Sequence, residues 1–442
     1  MAKSKTAYVC EACGAHSVKW AGQCPECDAW NTLVETTVGA AVVSAAAEPN
    51  RLSDVGEEAD QRFATGFGEL DRVLGGGLVP GSVVLIGGDP GVGKSTLLQQ
   101  ASSRLSGGHR VLYASGEESL RQVAQRARRL EADGDDLDFI ADTSLDTVLA
   151  GAANAQVLVI DSMQTMTVES SPSAPGSVAQ LRECVARIVQ FAKRNDVAVF
   201  VIGHVTKEGT IAGPRLVEHM VDTVLYFEND PASRYSMIRS VKNRFGASGE
   251  MGVFAMTESG FREVSNPSAI FLSRETAAGA GSVISVVWEG SRPLLVEIQA
   301  LVADGNGGYA KRLAQGIEQN RLALLLAVLQ KHGDTELAAD DVFVNVVGGL
   351  RIAETAADLP TILAVVSSFR DRACRERLVS FGEVGLAGEV RPVRFGTERL
   401  VAAAKQGFDT AIVPAANKPR KAIDGIRVIA VKNLAEALDA AF

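Results

Sequence analysis

Gly87-Gly88-Asp89-Pro90-Gly91-Val92-Gly93-Lys94-Ser95-Thr96 follows the apolar run Val83 to Ile86 and opens a stretch with helical periodicity. This is the setting a phosphate-binding loop requires. Its glycines let consecutive backbone amides turn inward on a phosphate chain without a Cβ clash. The start of the helix adds partial positive charge at the same place. Gly88, four residues, then Gly93-Lys94-Ser95 puts an ammonium within reach of the β- and γ-phosphates and a hydroxyl where Mg²⁺ is ligated. The stretch therefore predicts binding of ATP with Mg²⁺ through Gly88, Asp89, Pro90, Gly91, Val92, Gly93, Lys94, Ser95 and Thr96.

Outward from this loop, apolar runs at Val83-Ile86, Val111-Ala114, Val157-Ile160, Ala198-Ile202 and Thr223-Phe227 alternate with helical stretches such as Thr96-Leu105, Leu120-Leu130 and Val178-Arg194. That alternation predicts an α/β fold with parallel strands and crossover helices. Hairpin-like strands follow at Tyr235-Val241 and Gly252-Met256, and the motif-bearing core ends near Asn266-Pro267. Several polar residues sit at ends of these runs. Asp161, closing a strand beside the loop, is placed to hold the Mg²⁺ water shell. Glu117 and Glu118 follow a second strand; one of them is the base that activates the attacking water, Glu117 being favoured, while Glu118 also suits a helix N-terminus. His204 ends a third strand and could donate to a γ-phosphate oxygen. Lys242 and Arg244 flank Asn243 after a later strand, where cations complete a neighbouring subunit's site in other ATPases, an effect of about 10³- to 10⁵-fold in rate.

The chain has 442 residues, more than one ordinary core holds, so several domains are expected. A formal net charge of −9 excludes coating of nucleic acid by bulk charge and confines any such contact to local sites. The N-terminal residues lack the apolar stretch of a signal peptide, and the longest apolar segments are too short to span a bilayer. A cytoplasmic protein with no membrane partner and reduced thiols is expected. In that setting Cys10-x-x-Cys13 and Cys24-x-x-Cys27 read as a closed four-thiolate Zn²⁺ site that folds a segment too small for its own core. Cys184 and Cys374 lie in periodic apolar segments and read as buried small hydrophobes. The Ala- and Glu-rich stretch from Glu35 to Asp60 reads as a linker, and the remainder beyond Ser268 is long enough for an independent domain.

The four cysteines, the loop Gly88-Ser95, Asp161 and the pentapeptide Lys242-Asn243-Arg244-Phe245-Gly246 together resemble the bacterial RadA family, also called Sms, of recombination and repair ATPases. The pentapeptide is distinctive, and the resemblance covers essentially the whole chain. It implies a zinc finger at 1–35, a linker at 36–60, a RecA-like ATPase domain at 61–266 and a Lon-protease-like domain at 267–442. It implies ATP, Mg²⁺ and Zn²⁺ as cofactors, and a homo-hexamer on single-stranded and branched DNA that drives branch migration with RecA. By the same analogy, the loops Met163 to Ser177 and Thr206 to Arg215 face a central channel. Lys207 and Arg215 in the second suit phosphate contacts independent of base sequence.

The segment Gly382-Glu383-Val384-Gly385-Leu386-Ala387-Gly388-Glu389-Val390 resembles that before the catalytic lysine of Lon proteases, and matching onward places Thr397 at the lysine. Ala356 stands at the serine. With neither hydroxyl nucleophile nor amine, a serine–lysine mechanism has no parts, so an ATP-dependent protease is the disfavoured alternative. An assembly platform or a duplex DNA surface bearing Arg391, Arg394, Arg399 and Lys405 is expected in its place. The other alternative is a nucleotide-switched scaffold that recruits recombination partners.

Overall fold

The computed structural model describes residues 5–10, 16–17, 19–26, 28–38, 61–132, 137–171, 173–203, 217–229, 235–264, 266–272, 279–305 and 310–442. The chain divides into two compact units, Met1–Val264 and Ser265–Phe442.

The first unit begins with a small antiparallel sheet, β1 (Lys5–Cys10), β2 (His16–Ser17) and β3 (Leu33–Val38), in the order β2-β1-β3. Helix α1 (Gly68–Leu74) precedes the main sheet, whose elements in chain order are β4 (Val83–Gly87), α2 (Lys94–Ser106), β5 (Val111–Ser115) and α3 (Leu120–Arg129). There follow β6 (Leu137–Ala141), α4 (Leu145–Gly151), β7 (Val157–Asp161), α5 (Val178–Asn195) and β8 (Ala198–Ile202). The unit closes with β9 (Thr223–Asn229), β10 (Tyr235–Asn243), β11 (Met251–Thr257) and β12 (Gly260–Glu263). These strands form a nine-stranded sheet in the order β12-β11-β10-β9-β4-β8-β7-β5-β6. Strands β4 to β9 pair in parallel and β9 to β12 antiparallel.

Burial of both faces explains why these strands read as unbroken apolar runs. Val84, Ile86, Tyr113, Val159 and Phe200 enter one core with Leu97, Leu98, Ala101 and Leu105 of α2. Their neighbours Val83, Leu85, Leu112, Leu158 and Val199 enter the other core with Leu181, Cys184, Val185, Ile188 and Ala192 of α5. Ser177 caps α5 by accepting from the Gln180 amide, and Asp196 ends it in the left-handed region at φ 52°.

The second unit carries β13 (Ser282–Glu289), β14 (Arg292–Ala303), β15 (Arg312–Gln315), α6 (Gln319–His332), β16 (Asp341–Val346) and α7 (Asp358–Phe369). It continues with β17 (Leu378–Ser380), the short pair β18 (Glu383–Val384) and β19 (Val390–Arg391), α8 (Gly396–Lys405), β20 (Thr410–Pro414), β21 (Arg427–Val431) and α9 (Leu434–Ala441). Its mixed sheet runs β15-β16-β14-β13-β17-β20-β21. Helix α7 is buried along nearly its whole length. Among the described residues no helix is long and apolar enough to cross a membrane.

Candidate nucleotide site

Strand β4 delivers the chain into a loop that only glycine permits at two points. Gly88 has φ +148° and a Cβ there would sit 2.9 Å from Phe227 Cβ; Gly93 has φ +99° and a Cβ there would meet the Phe261 ring at 2.7 Å. Helix α2 starts at once with Lys94, which is 3 % exposed. Its Nζ donates to the carbonyls of Gly88 and Asp89, both at 2.8 Å, so the ammonium lies folded across the loop. Burial lowers the Lys94 pKa, opposed by the nearby charges of Asp161, Asp89 and Glu117. Those three acids and Lys94 thus share one electrostatic neighbourhood, while Ser95 and Thr96 are half-buried in the first turn of α2.

Asp161 ends β7 and is 2 % exposed. Sequence places its strand beside the loop; in the structure β8 intervenes between β4 and β7, because the crossover from α5 returns to the centre of the sheet. Tyr113, wholly buried on β5, donates its hydroxyl to Asp161 Oδ2 at 2.7 Å. Burial and the Asp161 charge push the phenol's pKa well above its ordinary value, so it stays a donor. Asp161 Oδ1 is buried and has no hydrogen-bond partner among the described residues. Such an orphaned carboxylate oxygen costs stability unless a ligand meets it.

The two candidate bases separate. Glu118 turns toward α3 and forms an ion pair with Arg126 at 2.6 Å; Arg126 also donates to Gln99 of α2. Glu117 is exposed and accepts a hydrogen bond at Oε1 from Ser162 Oγ. Ser115 Oγ accepts from the amides of Glu117 at 3.3 Å and Glu118 at 3.0 Å, fixing the turn that presents them. Tyr113 and Ser162 did not stand out in the sequence. The available signals were a phenol within an otherwise aliphatic buried run and a hydroxyl immediately after the strand-ending aspartate.

Lys242 and Arg244 are not brought to this cluster within one chain. Thr223, at the start of β9, pairs with Asn243 of β10 and with Val84 near the start of β4, whereas Gly87, which leads into the loop, pairs with Tyr226. The pentapeptide therefore stands at the opposite end of the sheet, one strand length away. Lys242 Nζ donates to the carbonyls of Glu218, His219 and Val221 at 2.9, 3.2 and 2.7 Å. Arg244, half exposed, pairs with buried Asp222 at 3.2 Å. His204, Lys207 and Arg215 lie outside the described residues. The loop Met163 to Ser177 is only partly available to a channel: Met163, Met166 and Val168 are in the core, and exposure begins at Glu169.

Cys10 and Cys24 are both wholly buried in one small cluster with Leu33. The Asp28 amide donates to the Cys24 carbonyl at 2.9 Å, closing a knuckle turn. Cys13 and Cys27 lie outside the described residues. Cys184 and Cys374 are buried, and burial pushes their thiols up to about 12 and about 11.

In the second unit Ala356 is buried and Thr397 exposed. Arg399 corrects the sequence reading. It is 1 % exposed, and its guanidinium meets Glu354 at 2.7 and 2.8 Å and the carbonyls of Val286 and Arg394. Its partner is 45 residues upstream, so spacing gave no hint. Arg391, Arg394 and Lys405 are exposed.

Three family descriptions match parts of the chain: an AAA domain over residues 46–210, a rubredoxin metal binding domain over 8–35, and subunit ChlI of Mg-chelatase over 318–417. A protein from Pseudomonas aeruginosa named "DNA repair protein RadA" is 55 % identical over 100 % of both chains. Proteins of the same name from Escherichia coli and Bacillus subtilis are 52 % and 46 % identical over 99 % of each chain. Among solved structures, a RadB recombinase is similar at 22 % identity and TM-score 0.37, covering 46 % of this chain and 100 % of its own. A DnaB-like replicative helicase, from a structure describing its interactions with primase, is similar at 15 % identity and TM-score 0.41, covering 47 % and 64 %. The α/β expectation holds, with an AAA-type core that carries the phosphate loop, an N-terminal metal-binding ribbon and a C-terminal unit similar to subunit ChlI of Mg-chelatase.

Proposed function

Because the chain belongs to the RadA family of DNA repair proteins, we propose that it is a DNA-dependent ATPase of recombinational repair. In this reading a homo-hexamer moves on single-stranded DNA and promotes branch migration of recombination intermediates with RecA. The observation that carries the ATPase reading is the convergence of Lys94, Asp89, Asp161 and Glu117 at one end of the sheet.

The loop amides of 88–96, Pro90 apart, cradle the triphosphate, and Lys94 leaves its two carbonyl partners for phosphate oxygens. Ser95 and Asp161 would hold Mg²⁺, and the buried Oδ1 of Asp161, without a partner among the described residues, fits that use. Bound there, the ion neutralises charge on the β- and γ-phosphates. Glu117 takes the proton of the attacking water, since Glu118 is committed to Arg126. Cys10, Cys13, Cys24 and Cys27 would hold Zn²⁺, which supplies folding free energy to the ribbon; two of those thiols already share a buried cluster.

The sheet-end separation between Lys242 or Arg244 and the loop supports action on a neighbouring copy's nucleotide. His204 is proposed as the γ-phosphate reporter, and Lys207 and Arg215 as contacts to the DNA backbone. The scaffold reading competes on one observation: Lys242 and Arg244 are both internally bonded in the single chain, as parts of a structural knot would be.

Steady-state ATP hydrolysis with and without single-stranded DNA separates the two. Stimulation by DNA, lost in both Lys94→Ala and Arg244→Ala, is the expected result for the motor. Turnover indifferent to DNA leaves the scaffold.

A further inference from the structure

Strands β5 and β7 are neighbours, with Ser115 opposite Asp161, and hydroxyl–carboxylate contacts run between them in both directions. Tyr113 of β5 holds Asp161 at the end of β7. Ser162, the next residue, reaches back to Glu117 beyond the end of β5. The second contact joins unlike partners. Ser162 is wholly buried, whereas Glu117 is exposed and hangs on a flexible side chain. Ser162 is itself fixed on both sides. The next amide, of Met163, donates to the Ile202 carbonyl of β8 at 2.9 Å, and the Ser162 carbonyl accepts from Thr165 Oγ1 at 2.8 Å. That same Thr165 oxygen lies where a Cβ on Gly116 would fall, at 2.2 Å, so the turn carrying Glu117 rests directly on the turn carrying Ser162. A hydrogen bond to a carboxylate is comparable in size with the rotamer freedom a glutamate gives up, so one such bond from a rigid donor selects an orientation.

We propose that Ser162 is a positioning residue for ATP hydrolysis: its hydroxyl holds the Glu117 carboxylate in the orientation from which it meets the attacking water. This rests on the assignment of Glu117 as the base. Serine suits the task because it offers a donor on a one-carbon stem, short enough to remain buried while its partner faces solvent.

The test is DNA-stimulated ATP hydrolysis by the full chain, comparing wild type, Ser162→Ala, Ser162→Thr, Glu117→Gln and the Glu117→Gln/Ser162→Ala double variant, with a thermal melt of each. A general base contributes about 10²- to 10⁴-fold, so loss of its orientation alone is expected to lower kcat about tenfold while KM for ATP stays within about twofold. Ser162→Thr keeps the hydroxyl and recovers most of kcat. In the Glu117→Gln background Ser162→Ala has no further effect, because the group it positions is gone. Wild-type kcat in Ser162→Ala beside an inactive Glu117→Gln overturns the role of Ser162 alone, as does a full independent effect in the double variant. So does Ser162→Thr as slow as Ser162→Ala with a native melt. Wild-type kcat in Glu117→Gln removes the base assignment itself, and the role of Ser162 with it.

Discussion

In the first unit Asp161 is all but buried, takes one hydrogen bond from Tyr113, and leaves Oδ1 without a partner among the described residues. In the second, Arg399 is as deeply buried but spends its donors on both oxygens of Glu354 and on two carbonyls. Asp358, held by Arg321 and the Val384 amide, is likewise closed. A buried charge whose hydrogen bonds all end inside the protein stabilises one conformation and offers nothing to a ligand. A buried charge with an open valence costs stability and is retained where something else completes it. The difference separates a site open to a ligand from a structural one without reference to motifs. In the second unit the charges near Ala356, Glu354 with Arg399 and Asp358 with Arg321, are of the closed kind.

The largest effect that would break this contrast concerns Arg399. Arg399→Ala removes four internal hydrogen bonds, leaves part-exposed Glu354 with the Trp288 amide, and should cost about 2–3 kcal/mol, measured by chemical denaturation of the full chain; an unchanged midpoint would mean the pair is not structural. Next is Asp161→Asn, which removes the charge and keeps the shape and the Tyr113 contact. Turnover should fall about 10²- to 10³-fold, while the melting temperature holds or rises because a buried charge with one open oxygen among the described residues has gone. A drop in melting temperature would place Asp161 with the structural charges. The smallest effect is that of Tyr113→Phe, which keeps the ring stacked on Phe139 at 6.2 Å. The Mg²⁺ concentration for half-maximal binding of a fluorescent ATP analogue should rise roughly threefold to tenfold, the equivalent of about 1 kcal/mol. No change would leave the phenol as a space filler.

Much of the first unit was legible because both faces of its central strands are buried and each reads as an aliphatic run. The expected Val157-Ile160 strand extends only to Asp161, and Val83-Ile86 to Gly87. Strands β6 and β12 carried weaker signals: β6 is only half-buried along Leu137–Ala141, and β12 has just four residues. The loop and its two acids were legible because phosphate binding constrains residue type at fixed spacing. Tyr113, Ser162 and the Arg399–Glu354 pair were not, since each acts through a partner brought close only by sheet register or tertiary packing. The direction of Lys242 was hidden for the same reason; a cation in a motif says nothing about which carbonyls surround it.

An ammonium has three protons, and at Lys242 the carbonyls of Glu218, His219 and Val221 claim them. An anion arriving from another molecule must therefore compete with the chain's own backbone, and its apparent affinity is reduced by the fraction of time the side chain is released. If it wins, the turn between residues 218 and 221 loses its knot at that instant. Capture at one address and untying at another become a single exchange, with one side chain as the currency of both.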